Sequence, residues 1–132
     1  MISHTFLGVG DFERAFGFYE AVLGELGLVL RFREEERPWA GWVKPGAPRP
    51  IFLIGKPFDG GAPSPGNGPM IALLAPDRAA VVRAWQAALN HGGRDEGAPG
   101  LRPEYHAHYY GTYVRDPDGN KLCLCCHDAV DG

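Results

Sequence analysis

A chain of 132 residues, 45% apolar and 22% charged, can bury the core of one soluble domain and is too short for two unrelated ones. Its formal net charge of −3, from 13 basic and 16 acidic side chains, leaves no basic stripe for nucleic acid. No apolar run approaches the roughly 18 residues of a membrane helix and no basic, apolar leader opens the chain, so no membrane partner is expected and a cytoplasmic location is.

The first element, residues 2–9, is a short apolar strand that runs into Asp11, an acid placed to accept the free N–H groups of a helix start. Phe12, Ala15, Phe16, Tyr19, Val22 and Leu23 recur at helical spacing, and Gly27 closes that helix. Strands follow at 28–33, 39–43 and 51–54, with REEER (33–37) read as a solvated turn. Trp39 and Trp42 fall on opposite sides of the second of these strands, and Trp42 is taken as the one facing a site. Residues 56–69, KPFDGGAPSPGNGP, hold too much Pro and Gly to pack as an element and read as a linker.

At residue 70 the chain starts over. A strand at 70–74, Asp77, and the helical stripe Val81, Val82, Trp85, Ala88 and Leu89 repeat the first design without a gap, pairing Asp11 with Asp77, Tyr19 with Trp85 and Gly27 with Gly93. Residues 96–108 form a loop rich in ring-bearing side chains, a place where a ligand can be touched. Arg102 in that loop can pair with a ligand carboxylate or stand as a solvated contact.

The last two strands, 109–116 and 121–126, are joined by RDPDGNK, where Pro117 presets a turn and Asp118 with Gly119 supply positive φ. With those two residues at the tip, Val114 pairs with Cys123, Thr112 with Cys125 and Tyr110 with His127. His108, Tyr110 and Thr112 then share a face with Cys123, and a slip of one residue reverses this. Tyr109 and Tyr113 are read as packed on a helix. Strand alternation sets Cys123 and Cys125 on one side and Cys126 on the other. Cys123 is either a small packed side chain or a nucleophile beside a cation such as protonated His4.

His4 in the first strand, DFERAFGFYEAVLGELGL, the second strand and helix of the same design, the GG pair with PGLRPEY, and the closing YVRDPDGNKL together resemble the glyoxalase, bleomycin-resistance and extradiol-dioxygenase superfamily, with its vicinal oxygen chelate fold. The resemblance covers nearly the whole chain. It implies one α+β domain over residues 1–132, made of two βαβββ modules (1–59 and 69–127, with a linker at 60–68) in a half-open, mostly antiparallel barrel, and it implies a homodimer.

The same resemblance implies a metal set drawn from the first and last strands of each module. His4 matches one position, whereas Met70 stands at its second-module counterpart and Cys123 where the family has its closing Glu; strand 51–54 has no His, Glu or Asp. A thioether is a poor ligand for hard divalent ions, and one imidazole does not hold a catalytic metal. The expectation is therefore a protein that binds a small, planar or aromatic organic molecule at His4, Trp42, Met70, His108, Tyr110, Thr112 and Cys123, with no cofactor. The alternative is a metal-dependent lyase, isomerase or dioxygenase with an altered ligand set and a divalent metal.

Overall fold

The computed structural model describes residues 1–130. The first module runs β1 (His4–Gly8), α1 (Phe12–Glu25), β2 (Val29–Glu34), β3 (Trp39–Val43) and β4 (Ile51–Gly55). The second runs β5 (Ile71–Leu74), α2 (Arg78–Asn90), β6 (Arg94–Leu101), β7 (Tyr110–Arg115) and β8 (Lys121–Cys126). Each module forms its own four-stranded sheet, in the orders β1-β4-β3-β2 and β5-β8-β7-β6. The fold is α+β, two βαβββ modules with the same topology; within the described residues no barrel closes.

Local chemistry accounts for both helices. The Asp11 carboxylate accepts the Arg14 N–H at 3.1 Å and that of Asp77 accepts the Ala80 N–H at 2.8 Å. At the other end of α1, Gly27 takes φ +85° while the Leu28 N–H reaches back to the Leu23 carbonyl at 3.0 Å, satisfying a carbonyl the helix leaves free. Gly92 plays this part for α2 with φ +88°.

The modules share one apolar core, in which Phe18, Tyr19, Val22 and Leu23 of α1 meet Ala80, Val81, Ala84 and Ala88 of α2. Three alanines at i, i+4 spacing let the helices approach closely. The core seam differs from the expected stripes, since Phe18 joins it fully buried while Val82, Trp85 and Leu89 lie half-buried at its margin. Inward residues of both sheets, among them Trp42, Phe52, Ile54, Val114, Leu122 and Leu124, complete the core. The opposite face of each sheet therefore stays uncovered by helix.

One element was hidden in the sequence. Residues 94–101 pair with β7 through two register shifts, although 96–108 reads as loop. Its DEGAPG composition is poor in strand formers, and the pairing comes from the neighbouring strand rather than from local preference.

Candidate functional site

The open face of the first sheet is built by strand alternation. On β1, Leu7 packs into the core while His4 and Phe6 point outward; on β4, Phe52 and Ile54 face inward and Leu53 outward. Gly41 of β3 lies opposite Leu53, and a Cβ there would stand 2.6 Å from the Phe32 ring and 2.8 Å from a Leu53 methyl. The absent side chain lets the neighbouring apolar groups close over the strand. Above this floor lies a cavity of about 560 Å³ lined by His4, Phe6, Glu34, Arg37, Trp39 and Lys56, with Pro38, Leu53 and Phe58.

The polar groups of this cavity are oriented. The Trp39 indole N–H donates to Glu34 Oε2 at 2.8 Å and its ring meets Phe32 edge-on at 4.7 Å, which fixes the indole plane. Arg37 sits 5.2 Å above the Phe58 ring, and His4 Nδ1 lies 2.8 Å from the Ser3 hydroxyl. The REEER segment is thus more than a solvated turn. Glu34 and Arg37 line the cavity, and Arg33 is held by Glu13 and Glu35 with its guanidinium 4.2 Å from the Phe16 ring.

Trp42, expected in the site, is a core residue: 1% exposed, donating to Glu20 at 3.1 Å and tilted against Phe16 and Tyr19. Trp39 is the tryptophan on the open face. Sequence reasoning put the pair on opposite sides and chose the wrong member, because nothing local tells which side a helix will cover. Phe6 was detectable two residues after His4 on the same face. Lys56 and Phe58 lay inside the segment set aside as linker.

The second sheet differs from the expected register by one residue. Tyr113, not Val114, pairs with Cys123; Thr112 pairs with Leu124, Gly111 with Cys125 and Tyr110 with Cys126. The tip is the loop Pro117, Asp118 and Gly119 between paired Asp116 and Asn120, and only Gly119 takes positive φ, at 93°. A three-residue loop of this kind shifts every partner by one relative to a two-residue tip. Thr112 is consequently fully buried on the helix side, donating to the Gly97 carbonyl, and Tyr110 packs against the core with Arg78 over its ring at 5.3 Å. His108 is exposed in the β6–β7 loop, its N–H donating to His106 Nδ1 at 3.2 Å. Tyr109 and Tyr113 take the open side instead.

That open side carries two thiols under a cover of rings. Cys123 Sγ lies 3.2 Å from the Tyr109 hydroxyl, and Cys125 Sγ lies 3.7 Å from His127 Nε2. His127 Nδ1 is 2.8 Å from His106 Nε2, and Tyr105, His106 and His127 all pack on the Tyr109 ring. The adjoining Cys125 thiol, assisted by Tyr109, Arg102 and Tyr113, lowers the Cys123 thiol to about 7 against the opposing cost of burial. Cys125 and Tyr109 are pushed upward, Cys125 chiefly by its hydrogen bond with Cys123 and Tyr109 chiefly by burial. Beside this group lies a second cavity of about 480 Å³, bordered by Met70, Glu96, Tyr105, Tyr113, Arg115 and Lys121.

His4 and Cys123 both face open sides, but of different sheets. No Cα of β1 comes within 8 Å of one in β8, so the two are not neighbours within the chain as expected. The metal set that the fold would host does not fit these residues. His4 is flanked on β4 by Ile51 and Leu53, Met70 stands just before β5, Cys123 belongs to the second sheet, and Tyr109 covers the Cys123 sulfur. Among the described residues no three His, Cys, Asp or Glu side chains converge to hold an ion.

Two βαβββ modules with open sheet faces are the architecture of the glyoxalase class, and the family model confirms it: the Glyoxalase/Bleomycin resistance protein/Dioxygenase superfamily matches residues 1–124, and the chain belongs to that family. Among solved structures it is similar to a glyoxalase/bleomycin resistance protein from Albidiferax ferrireducens T118, with 31% identity over 97% of this chain and 99% of that one and a TM-score of 0.83. A glyoxalase-related enzyme from Fulvimarina pelagi shares the fold at 21% identity, TM-score 0.70, over 96% and 87% of the two chains. Lactoylglutathione lyase from Agrobacterium tumefaciens does so at 20% identity, TM-score 0.63, over 96% and 92%. No curated protein matches the sequence.

Proposed function

We propose that the chain binds a small, planar organic molecule in the cavity on the open face of the first sheet, without the metal its superfamily commonly uses. The observation that carries this reading is the lining itself: Phe6, Trp39, Leu53 and Phe58 supply apolar and aromatic walls, and His4, Arg37 and Lys56 supply donors at the rim. A cavity of about 560 Å³ is the size of ordinary small-molecule sites. The three donors favour a ligand that carries an acidic or carbonyl oxygen. The chain's three free cysteines suit a reducing compartment such as the cytoplasm.

The anionic aromatic dye 8-anilinonaphthalene-1-sulfonate tests this directly. Titration followed by dye fluorescence should give one saturable site, weakened about tenfold by Trp39→Ala through loss of the stacking surface. Unchanged affinity in a Trp39→Ala variant with native circular dichroism would place the ligand elsewhere.

We also propose that the protein is a homodimer. Phe6 is 45% and Leu74 70% exposed, both on open sheet faces that the chain's own helices do not cover, and Met70, just before β5, is 44% exposed. Sedimentation equilibrium at micromolar concentration should give twice the chain mass; a monomer would count against it.

A further inference from the structure

The polar groups around the first cavity are not spread evenly along it. His4 pairs with Ile51 at one end of β4, and Trp39 pairs with Gly55 at the other. The length of β4 between these partners is about 13 Å at the rise of an extended strand. Phe6 and Leu53, paired with each other, form the floor midway. The cavity is therefore a trough, with His4 at one end, an apolar middle, and Glu34, Arg37, Trp39 and Lys56 at the other.

Granting the planar-ligand site proposed above, on which this rests, we propose that the trough takes an elongated aryl carboxylate, with its acid group at the Arg37 and Lys56 end and a hydroxyl at the His4 end.

At the Trp39 end two cations stand against one carboxylate. Neither Arg37 nor Lys56 pairs with a carboxylate among the described residues, and Glu34 is committed to the Trp39 indole N–H at 2.8 Å. This end is thus positive in a chain whose net charge is −3. The backbone sets the two cations side by side: the Lys56 N–H donates to the Pro38 carbonyl at 3.2 Å, which ties the end of β4 to the turn that carries Arg37. A planar carboxylate can take the guanidinium fork of Arg37 on both oxygens, while Lys56 acts as a point charge beside it.

Between the two ends the trough suits a flat ring system. Gly55 lets Phe6 and Trp39 close over β4, since a Cβ there would stand 2.8 Å from Trp39 Cβ and 3.3 Å from the Phe6 ring. Phe58 lines the cavity yet is 91% exposed, with the Arg37 guanidinium 5.2 Å above its ring. An aromatic ring left so open beside an apolar floor gains most from a ligand face laid against it. At the far end the Ser3 hydroxyl lies 2.8 Å from His4 Nδ1, which leaves Nε2 as the imidazole's other hydrogen-bonding atom. A ligand hydroxyl both donates and accepts, so it satisfies Nε2 in either tautomer.

Isothermal titration calorimetry of the full chain at neutral pH tests this with 6-hydroxy-2-naphthoate, with 2-naphthoate, which lacks the hydroxyl, and with 2-naphthol, which lacks the acid. 6-Hydroxy-2-naphthoate should bind about tenfold tighter than 2-naphthol, and that advantage should shrink as salt is raised. The double variant Arg37→Gln with Lys56→Gln should abolish the advantage and leave 2-naphthol affinity unchanged. His4→Ala should weaken 6-hydroxy-2-naphthoate about fivefold and leave 2-naphthoate unchanged. Equal binding of acid and neutral probes, an advantage that survives the double variant, or equal loss of both acids in His4→Ala would overturn the proposal. Trp39→Ala separates the two readings. If it weakens every probe while acid and neutral bind alike, the cavity stands and the assignment of its ends falls; if it weakens none, the cavity falls and the assignment with it.

Discussion

Asp116→Ala should cost about 4 kcal/mol of folding stability, more than any other single polar substitution in the chain, read as a fall in the urea midpoint by circular dichroism. Asp116 is 1% exposed and its two oxygens accept four hydrogen bonds. Oδ1 takes the N–H groups of Asp118 and Asn120, both at 2.9 Å, and shapes the turn. Oδ2 takes the Tyr19 hydroxyl at 2.6 Å and the Asn120 amide at 2.9 Å, and Asn120 donates onward to the Gly8 carbonyl at 3.0 Å. One carboxylate thus ties the second module's turn to both the helix and the first strand of the first module. Alanine would leave these donors buried and unpaired, each at about 1–3 kcal/mol before relaxation. Asp118→Ala makes the contrast, because its exposed bond to the Gly10 N–H at 2.9 Å should be worth about 1 kcal/mol or less.

The same contact has a pH signature. Burial first, and the Asp116 charge second, hold the Tyr19 phenol well above the usual tyrosine range. Since the folded value is raised, the stabilisation is fully present below the ordinary value of about 10 and is lost as pH rises through the folded value. Wild-type stability should therefore fall in the alkaline range, and Tyr19→Phe should flatten that fall while lowering stability at neutral pH by about 1–2 kcal/mol. An alkaline profile unchanged by Tyr19→Phe would remove Tyr19 from the account.

Gly93→Ala should destabilise by about 3 kcal/mol, an effect of crowding rather than of backbone torsion. A Cβ at residue 93 would stand 2.7 Å from the Ala88 carbonyl oxygen, 2.7 Å from the Phe18 ring and 2.8 Å from the Arg115 carbonyl oxygen. Two of these three atoms are backbone and cannot swing aside. The contact with Phe18 also lies at the meeting of the modules, so relief would have to part α1 from the start of β6. Gly24, in the last turns of α1, has nothing within 4 Å of its added Cβ, and Gly24→Ala should stabilise by up to about 1 kcal/mol through helix propensity. Equal effects at the two glycines would mean that packing at Gly93 yields more than its backbone neighbours suggest.

The match between residue pattern and fold is uneven along the chain for identifiable reasons. Caps, helical stripes and closing glycines act within one or two turns, so Asp11, Asp77, Gly27 and Gly92 declared both helices locally. Strands β3 and β8 were legible to the residue, β3 from its aromatic and β-branched content and β8 from its apolar run directly after the DPDGN turn. β6 was not, because its pairing is imposed by β7 across two irregularities.

What the sequence determined by itself about this protein was the duplicated βαβββ design, and with it the family, because order, spacing and caps are properties of the chain read locally. Which side of each strand meets the helices was decided only in three dimensions. Periodicity divides a strand into two faces without naming them, so Trp42 went to the core and Trp39 to the cavity. The three-residue loop at Pro117–Gly119 then turned Tyr110 and Thr112 inward and brought Tyr109 and Tyr113 over Cys123. A difference of one residue in a turn, invisible to composition, chose the groups that surround the thiol.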